Sequence, residues 1–347
     1  MKFAKYSLLS LCLFLFGVVH AQNLKLFGLI HHLIEDKELG TINFYITDSL
    51  HTLRKPLLLY LDGSGDNPLF TVESDINGGF KKYSSIPFDY KSISTKYHVV
   101  FISKPNVPLV DTIRTKDLSI TNFKYNQLLS AEWRVNSALM VLKYIQKKYP
   151  VDSKKIVVFG YSEGAQIAPI IANKNKKVTH CIALVGGGLN QFFNQIIDFR
   201  IAAKKNEISQ ADAQNKIDSI YNEFEKIYSN PKSTSEFWFG HTYLRWSSFC
   251  AVPTIEYLSN LSIPIYIAQG TDDESTSILS ADYIRMEFLR LGKQNLTQKI
   301  YPNCDHIFNR KSINNGVAEY DNIMDIVLED AFNWINEKNK LKNINTR

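Results

Sequence analysis

Lys154–Ala172 reads KKIVVFGYSEGAQIAPIIA, and the fold turns on this stretch. Ile156 to Phe159 are four apolar residues in a row, which marks a strand buried on both faces. Gly160-Tyr161-Ser162-Glu163-Gly164 follows at once, and then an Ala- and Ile-rich run with helical spacing. Strand, G-x-S-x-G and helix in succession are the context a nucleophile elbow requires. Ser162 then sits on a strained turn with its hydroxyl exposed above the sheet. The flanking glycines are needed because a Cβ at 160 or 164 would meet the neighbouring strand or helix. The helix that begins here also aims its N-terminal N–H groups at the place where an oxyanion would form. Pro169 falls where the second turn should be and crowds the carbonyl of Ala165, so a kink is expected there.

Outward from this stretch, strands and helices alternate. PLLLYL (56–61) and YHVVFI (97–102) are buried strands on the N-terminal side, after two strand-like runs around 24–34 and 41–46 suited to an antiparallel edge. The adjacent His31 and His32 would point to opposite faces of such a strand, which argues against a metal pair. Between the two buried strands, 67–95 reads as a long loop that shapes the substrate mouth. Residues 131–148 carry an apolar stripe of Val135, Ala138, Leu139, Leu142 and Ile145, closed by Pro150. HCIALV (180–185) and PIYIA (264–268) are further buried strands, followed by a helical pattern through Tyr283, Met286 and Leu289. A strand near 297–301 and a closing helix over 320–334 complete the chain. This alternation predicts a mostly parallel sheet with helices on both faces. It stops between 189 and 253, where Ser209 and Asp212 mark a helix start and apolar residues from Ile217 to Tyr228 recur at helical spacing. A helical insertion lying over the strand ends as a lid is the expectation. The aromatic residues from Phe237 to Phe249 pack it to the core or line an acyl pocket. Arg245, among them, meets either an anionic group or a surface carboxylate.

A serine hydroxyl is a poor nucleophile until a base takes its proton, and the base in turn needs a carboxylate to fix its tautomer. His180 follows the elbow too closely to leave room for an acid strand, and His241 lies in the lid region. His306 follows the last strand, in a loop, and is the candidate base. The acid belongs on the loop leaving PIYIAQG, where Asp272 and Asp273 both qualify, with Glu274 entering a helix and Asp305 too close to the histidine to reach its Nδ1. For an oxyanion hole, the N–H of Glu163 is one donor. PLLLYL runs straight into Asp62-Gly63-Ser64-Gly65, which offers a second N–H near Gly63 and Ser64 or a plain strand-ending turn.

With GYSEG, QGTDDE and CDHIF on the page, the chain resembles the α/β-hydrolase superfamily, in the style of the prolyl oligopeptidase and dienelactone hydrolase branch. The resemblance covers most of the chain beyond the leader. It implies an α/β-hydrolase fold over 22–347, a mostly parallel central sheet with a helical lid insertion at about 189–253. It also implies that Asp273, three residues after the glycine of its turn, is the acid rather than Asp272, and that His306 occupies the histidine's place. Two departures stand out. Asp62-Gly63 replaces the His-Gly common in relatives, which leaves the second oxyanion donor open. Glu163 replaces a more usual Met, Gln or Asn, and its side chain is expected to line the pocket and disfavour anionic substrates.

Residues 1–21 have a basic start (Lys2, Lys5), an apolar run from Leu8 to Val19 and small residues at −3 and −1, which reads as a secretory signal peptide. The apolar core is too short for a stable span, so no membrane insertion is expected after its removal. Its loss would lower the formal charge of +6 by two, and the scattered lysines form no stripe for nucleic acid. Lysine- and asparagine-rich composition suggests a bacterial periplasm or secretion. Cys181, Cys250 and Cys304 lie in apolar settings and are expected as buried thiols, with no spacing for a structural metal. The reading is an exported serine hydrolase acting on an ester or thioester of a small-molecule or short-peptide acyl substrate, with no metal or cofactor required. A prolyl oligopeptidase-type serine peptidase and a non-catalytic binding protein on the same fold are the alternatives. The sequence leaves the oligomeric state open.

Overall fold

The computed structural model describes residues 27–74, 80–111, 122–314 and 316–344; the expected leader and the Asn77-Gly78-Gly79 stretch lie outside them. The strands are β1 (Leu29–Asp36), β2 (Gly40–Thr47), β3 (Lys55–Leu61), β4 (Phe70–Ser74), β5 (Phe80–Ser84), β6 (His98–Ile102), β7 (Val110–Asp111), β8 (Val151–Tyr161), β9 (His180–Leu184), β10 (Phe237–Trp238), β11 (His241–Thr242), β12 (Ile265–Gly270), β13 (Leu296–Tyr301), β14 (Asn309–Asn314) and β15 (Val317–Asn322). Eight of them form one sheet in the order β1-β2-β6-β3-β8-β9-β12-β13. β1 and β2 are antiparallel at one edge, β2 is antiparallel to β6, and every pairing from β6 to β13 is parallel.

The helices are α1 (Tyr90–Ser94), α2 (Phe123–Leu128), α3 (Ala131–Lys148), α4 (Glu163–Lys174), α5 (Gln191–Lys204), α6 (Gln210–Ser229), α7 (Tyr243–Cys250), α8 (Thr254–Ser259), α9 (Ile278–Arg290) and α10 (Met324–Ile344). α3 starts where the Ser130 hydroxyl accepts from the Trp133 N–H, with Glu132 in its first turn and Lys147 and Lys148 in its last, both complementing the helix dipole. The period of two along the strands divides the core. Leu57, Leu59 and Leu61 face one side with Ile156 and Val158, under α3 and α4. Leu58 and Tyr60 face the other with Val157 and Phe159, under the buried residues Val327, Ala331 and Ile335 of α10. Both faces are covered, so the central strands read as unbroken apolar runs. α4 runs on through Pro169 without interruption.

Three expectations change. The 67–95 stretch is not a bare loop: β4, β5 and β7 form a small separate sheet and α1 follows. α9 forms, but Tyr283, Met286 and Leu289 lie on its exposed side, and Ser280, Ala281, Ile284 and Phe288 are buried. The reason is close approach. A Cβ on Gly187 would lie 2.6 Å from Ser280 Oγ and one on Gly188 2.5 Å from Ile284 Cγ1, so the glycine chain runs directly against that side of the helix. The closing helix begins at Met324 instead of 320, because 309–322 pair as an exposed hairpin and the Asn322 side chain accepts from the Met324 N–H to start the helix. The 189–253 segment holds α5, α6 and α7, together with the two-residue strands β10 and β11. Cys181, Cys250 and Cys304 are buried free thiols. Among the described residues no helix is long and apolar enough to cross a membrane.

Candidate active site

Ser162 stands between β8 and α4 with φ 55° and ψ −117°, a conformation L-residues rarely adopt. Its neighbours explain the two glycines. A Cβ on Gly160 would sit 2.1 Å from the Gly164 carbonyl oxygen, and one on Gly164 would sit 2.1 Å from the Leu61 carbonyl oxygen. The turn is pinned by the Ser162 N–H donating to Leu184 O at 2.9 Å and the Ala165 N–H donating to Ser162 O at 2.9 Å.

The structure brings Ser162, His306 and Asp273 together from three separate strand ends. Ser162 Oγ lies 2.9 Å from His306 Nε2, and His306 Nδ1 lies 2.8 and 3.0 Å from the two Asp273 oxygens. An ionised carboxylate only accepts, so Nδ1 carries the proton and Nε2 accepts from the serine hydroxyl. Asp273 is buried and held from all sides: Oδ1 accepts from the N–H groups of Ser275 and Thr276, each at 2.8 Å, and Oδ2 accepts from Gln269 Nε2 at 2.6 Å. Gln269 is itself fixed by donation to Thr276 O. Asp272 is exposed and bonded to Thr271, away from the histidine. Glu274 is exposed too. Asp305 instead braces the histidine loop, accepting from the N–H groups of Ile307 and Asn309, while Tyr161 donates to His306 O at 2.7 Å.

A chain of buried charges runs beside the serine. Lys104 Nζ lies 2.9 Å from Asp62 Oδ2, and Arg134 lies 2.6 Å from Asp62 Oδ1 and 2.7 Å from Glu163 Oε1. Arg245, from α7, reaches Glu163 Oε2 at 2.7 Å and Gln191 of α5 at 2.8 Å. Its guanidinium stacks on Trp246 and Phe249, 4.4 and 4.7 Å from their ring centres. Burial works against the Glu163 charge, but Arg245, Arg134 and Lys104 outweigh it and bring the carboxyl down to about 2. Glu163 therefore borders the pocket without offering it a free negative charge, contrary to the sequence expectation. Arg245 meets a buried carboxylate, neither a surface one nor an open anion site. Gly63 lies against Ser162: a Cβ built there would be 3.4 Å from Ser162 Cβ.

The cavity over Ser162 and His306 has a volume of about 580 Å³ and includes Gly63, Ser64 and Glu163 in its wall. Tyr161, Phe239 and Trp246 supply rings, and Gln166, Gln191, Gln195 and Asn67 supply amides; among the described residues no Leu, Ile, Val or Met borders it. The aromatic segment thus divides: Trp246 and Phe239 reach the cavity, while Phe249 packs into the core. Burial, and then Arg245, lower the His241 imidazole in this wall to about 4, so it is neutral at ordinary pH.

Sequence reasoning missed Lys104, Arg134 and Gln269. Arg134 did carry a signal, since it falls on the apolar stripe of α3 beside Val135 and one turn before Ala138, where a cation requires a buried partner. Gln269, a polar residue ending a buried strand, carried a weaker one. Nothing local marked Lys104.

A family model described as BD-FAE matches residues 121–286, which include Ser162 and Asp273 and stop short of His306. No curated protein matches the chain by sequence. Among solved structures, Est1E from Butyrivibrio proteoclasticus superposes with a TM-score of 0.51 at 11% identity, covering 89% of this chain and 98% of that chain. Est1E with ferulic acid bound gives 0.52 at 12% identity, covering 86% of this chain and 95% of that one. The uncomplexed acylaminoacyl peptidase of Pyrococcus horikoshii gives 0.49 at 11% identity, over 80% of this chain and 37% of that chain. At such identities the likeness is one of fold.

Proposed function

We propose that this chain, whose fold is that of the α/β-hydrolases, is an exported serine hydrolase that cleaves an ester or thioester through an acyl-enzyme. Ser162 Oγ attacks the acyl carbon while His306 Nε2 takes its proton. Asp273 holds the imidazole tautomer and stabilises the imidazolium. The oxyanion takes hydrogen bonds from the Glu163 N–H and from an N–H near Gly63 and Ser64. His306 then gives the proton to the leaving oxygen or sulfur, and the same base activates water to release the acid and restore Ser162. Every proton and electron pair is carried by these groups, and no cofactor is needed for the cycle. The observation that carries the proposal is the unbroken line from Ser162 Oγ through His306 to Asp273, with bonds of 2.9 and 2.8 Å.

Two features of the wall favour an ester over a peptide with a free N-terminus. Both carboxylates beside the serine, Asp62 and Glu163, are already paired with cations, so neither is left to bind an ammonium. A wall of rings and amides without aliphatic side chains suits a short or ring-shaped polar acyl ester better than a long alkyl chain. Export rests on the N-terminal sequence alone. A panel of p-nitrophenyl acetate, butyrate and dodecanoate beside aminoacyl p-nitroanilides tests the assignment. Turnover is expected to be highest on the short esters; a higher kcat/KM on the anilides would move the protein to the peptidases, and no turnover of any substrate would favour a binding role.

A further inference from the structure

Lys104 and Arg134 do more than neutralise Asp62 and Glu163. Lys104 Nζ also donates hydrogen bonds to the carbonyl oxygens of Gly63 and Gly65, each at 2.6 Å. Arg134 Nη2 donates to the carbonyl oxygen of Asp62 at 3.0 Å, beside its bond to that residue's carboxylate. Two buried cations thus grip three carbonyls of one short loop, the loop that leaves β3 and passes the nucleophile.

A trans peptide unit points its C=O and the following N–H in opposite directions. A carbonyl of Asp62 held by Arg134 therefore turns the Gly63 N–H away from Arg134. A carbonyl of Gly63 held by Lys104 turns the Ser64 N–H away from Lys104. Gly63 packs against Ser162, since a Cβ on it would lie 3.4 Å from Ser162 Cβ and 3.8 Å from Oγ. A cation at the carbonyl end of a peptide also polarises it and strengthens its N–H as a donor. Arg134 further binds Glu163, the residue that follows the nucleophile, so one guanidinium spans the loop and the elbow.

We propose that Lys104 and Arg134 are positioning residues of the oxyanion hole, which set the N–H groups of Gly63 and Ser64 toward the carbonyl oxygen of a substrate bound at Ser162. This rests on the serine-hydrolase reading above. It gives a role to Asp62, which stands where relatives carry histidine: its carboxylate draws both cations to the strand end, and the cations then orient the loop.

The test uses Lys104→Met and Arg134→Met in the full chain, with folding checked by melting. Each is assayed for kcat and KM on p-nitrophenyl acetate and for inhibition by a trifluoromethyl ketone, which forms an oxyanion on the serine. Losing an aligned donor is expected to lower kcat about 10- to 100-fold and to raise Ki for the ketone by a similar factor, with KM nearly unchanged. A merely structural role would lower the melting temperature and leave the kcat of the folded fraction and the Ki unchanged; that result in Lys104→Met overturns the proposal, as does a rise in KM with kcat intact. Should Arg134→Met not fold, Lys104→Met decides alone, because it leaves Asp62 and Glu163 paired with Arg134. Failure of the parent to form a covalent adduct at Ser162 would remove the underlying reading, and that is seen before any variant is assayed.

Discussion

Glu163 shows how much of this site is decided by one residue's partners. Its backbone follows Ser162, while its carboxylate, 1% exposed, lies between the guanidiniums of Arg134 and Arg245. Replacing it by glutamine would leave two buried cations facing an amide. Glu163→Gln should therefore cost about 3–5 kcal/mol in chemical denaturation at neutral pH, the usual cost of removing one member of a buried ion pair. The pH dependence follows from the same contacts. The folded carboxyl is held down at about 2 against an ordinary 4.5, so its stabilisation is complete above pH 4.5 and is lost as pH falls from there toward 2. The stability gap between parent and variant should shrink across that window; a gap that stays constant down to pH 2 would contradict the assigned pairing. In the sequence Glu163 could be read as a backbone donor and a wall residue. Its charge could not be placed, because Arg134 is 29 residues away and Arg245 is 82. Ser162 and His306 were legible for the opposite reason, since residue type, order along the chain and flanking glycines limit where they can stand, whereas Asp273 was separated from the adjacent Asp272 only by the family resemblance.

At the level of elements, what could be read was what depends on period. The buried strands were legible from continuous apolar runs, and α3 and α6 from their stripes and caps. The face of α9 was not, because its large side chains Tyr283, Met286 and Leu289 look like a core stripe while the side that packs against Gly187 and Gly188 is the one carrying Ser280 and Ile284. The tip of the β10–β11 hairpin shows a local conflict of another kind. Trp238 pairs with His241, leaving Phe239 and Gly240 as the two-residue turn, at φ 43° and 74°. Such turns favour Asn-Gly, since a bulky residue at positive φ is strained. Phe239 is also exposed at the cavity rim. Phe239→Asn should stabilise the fold by about 1 kcal/mol in urea titration by relieving that strain. A destabilised variant would show that the ring contact with Trp238, 4.6 Å between centroids, outweighs the backbone cost.

Across the whole molecule, an eight-stranded sheet with two apolar faces carries its candidate site at the ends of β3, β8, β12 and β13, where the connecting loops meet. That placement is the general rule for open α/β sheets. The 189–253 segment closes over it through α7, whose Arg245 ties the segment to Glu163, and through α5, whose Gln191 binds Arg245. The layered fold was readable from strand–helix alternation, whereas the exposed β14–β15 hairpin was not, because its residues carry no buried face to give it a period. In the proposed mechanism Ser162 is an activated nucleophile. Incubating the folded protein with a fluorophosphonate and mapping the adduct by mass spectrometry tests this directly. One adduct on Ser162 is expected, none at that position in Ser162→Ala, and labelling about 10³-fold slower or more in His306→Ala. A folded parent that forms no adduct, or forms it on another serine, would contradict it.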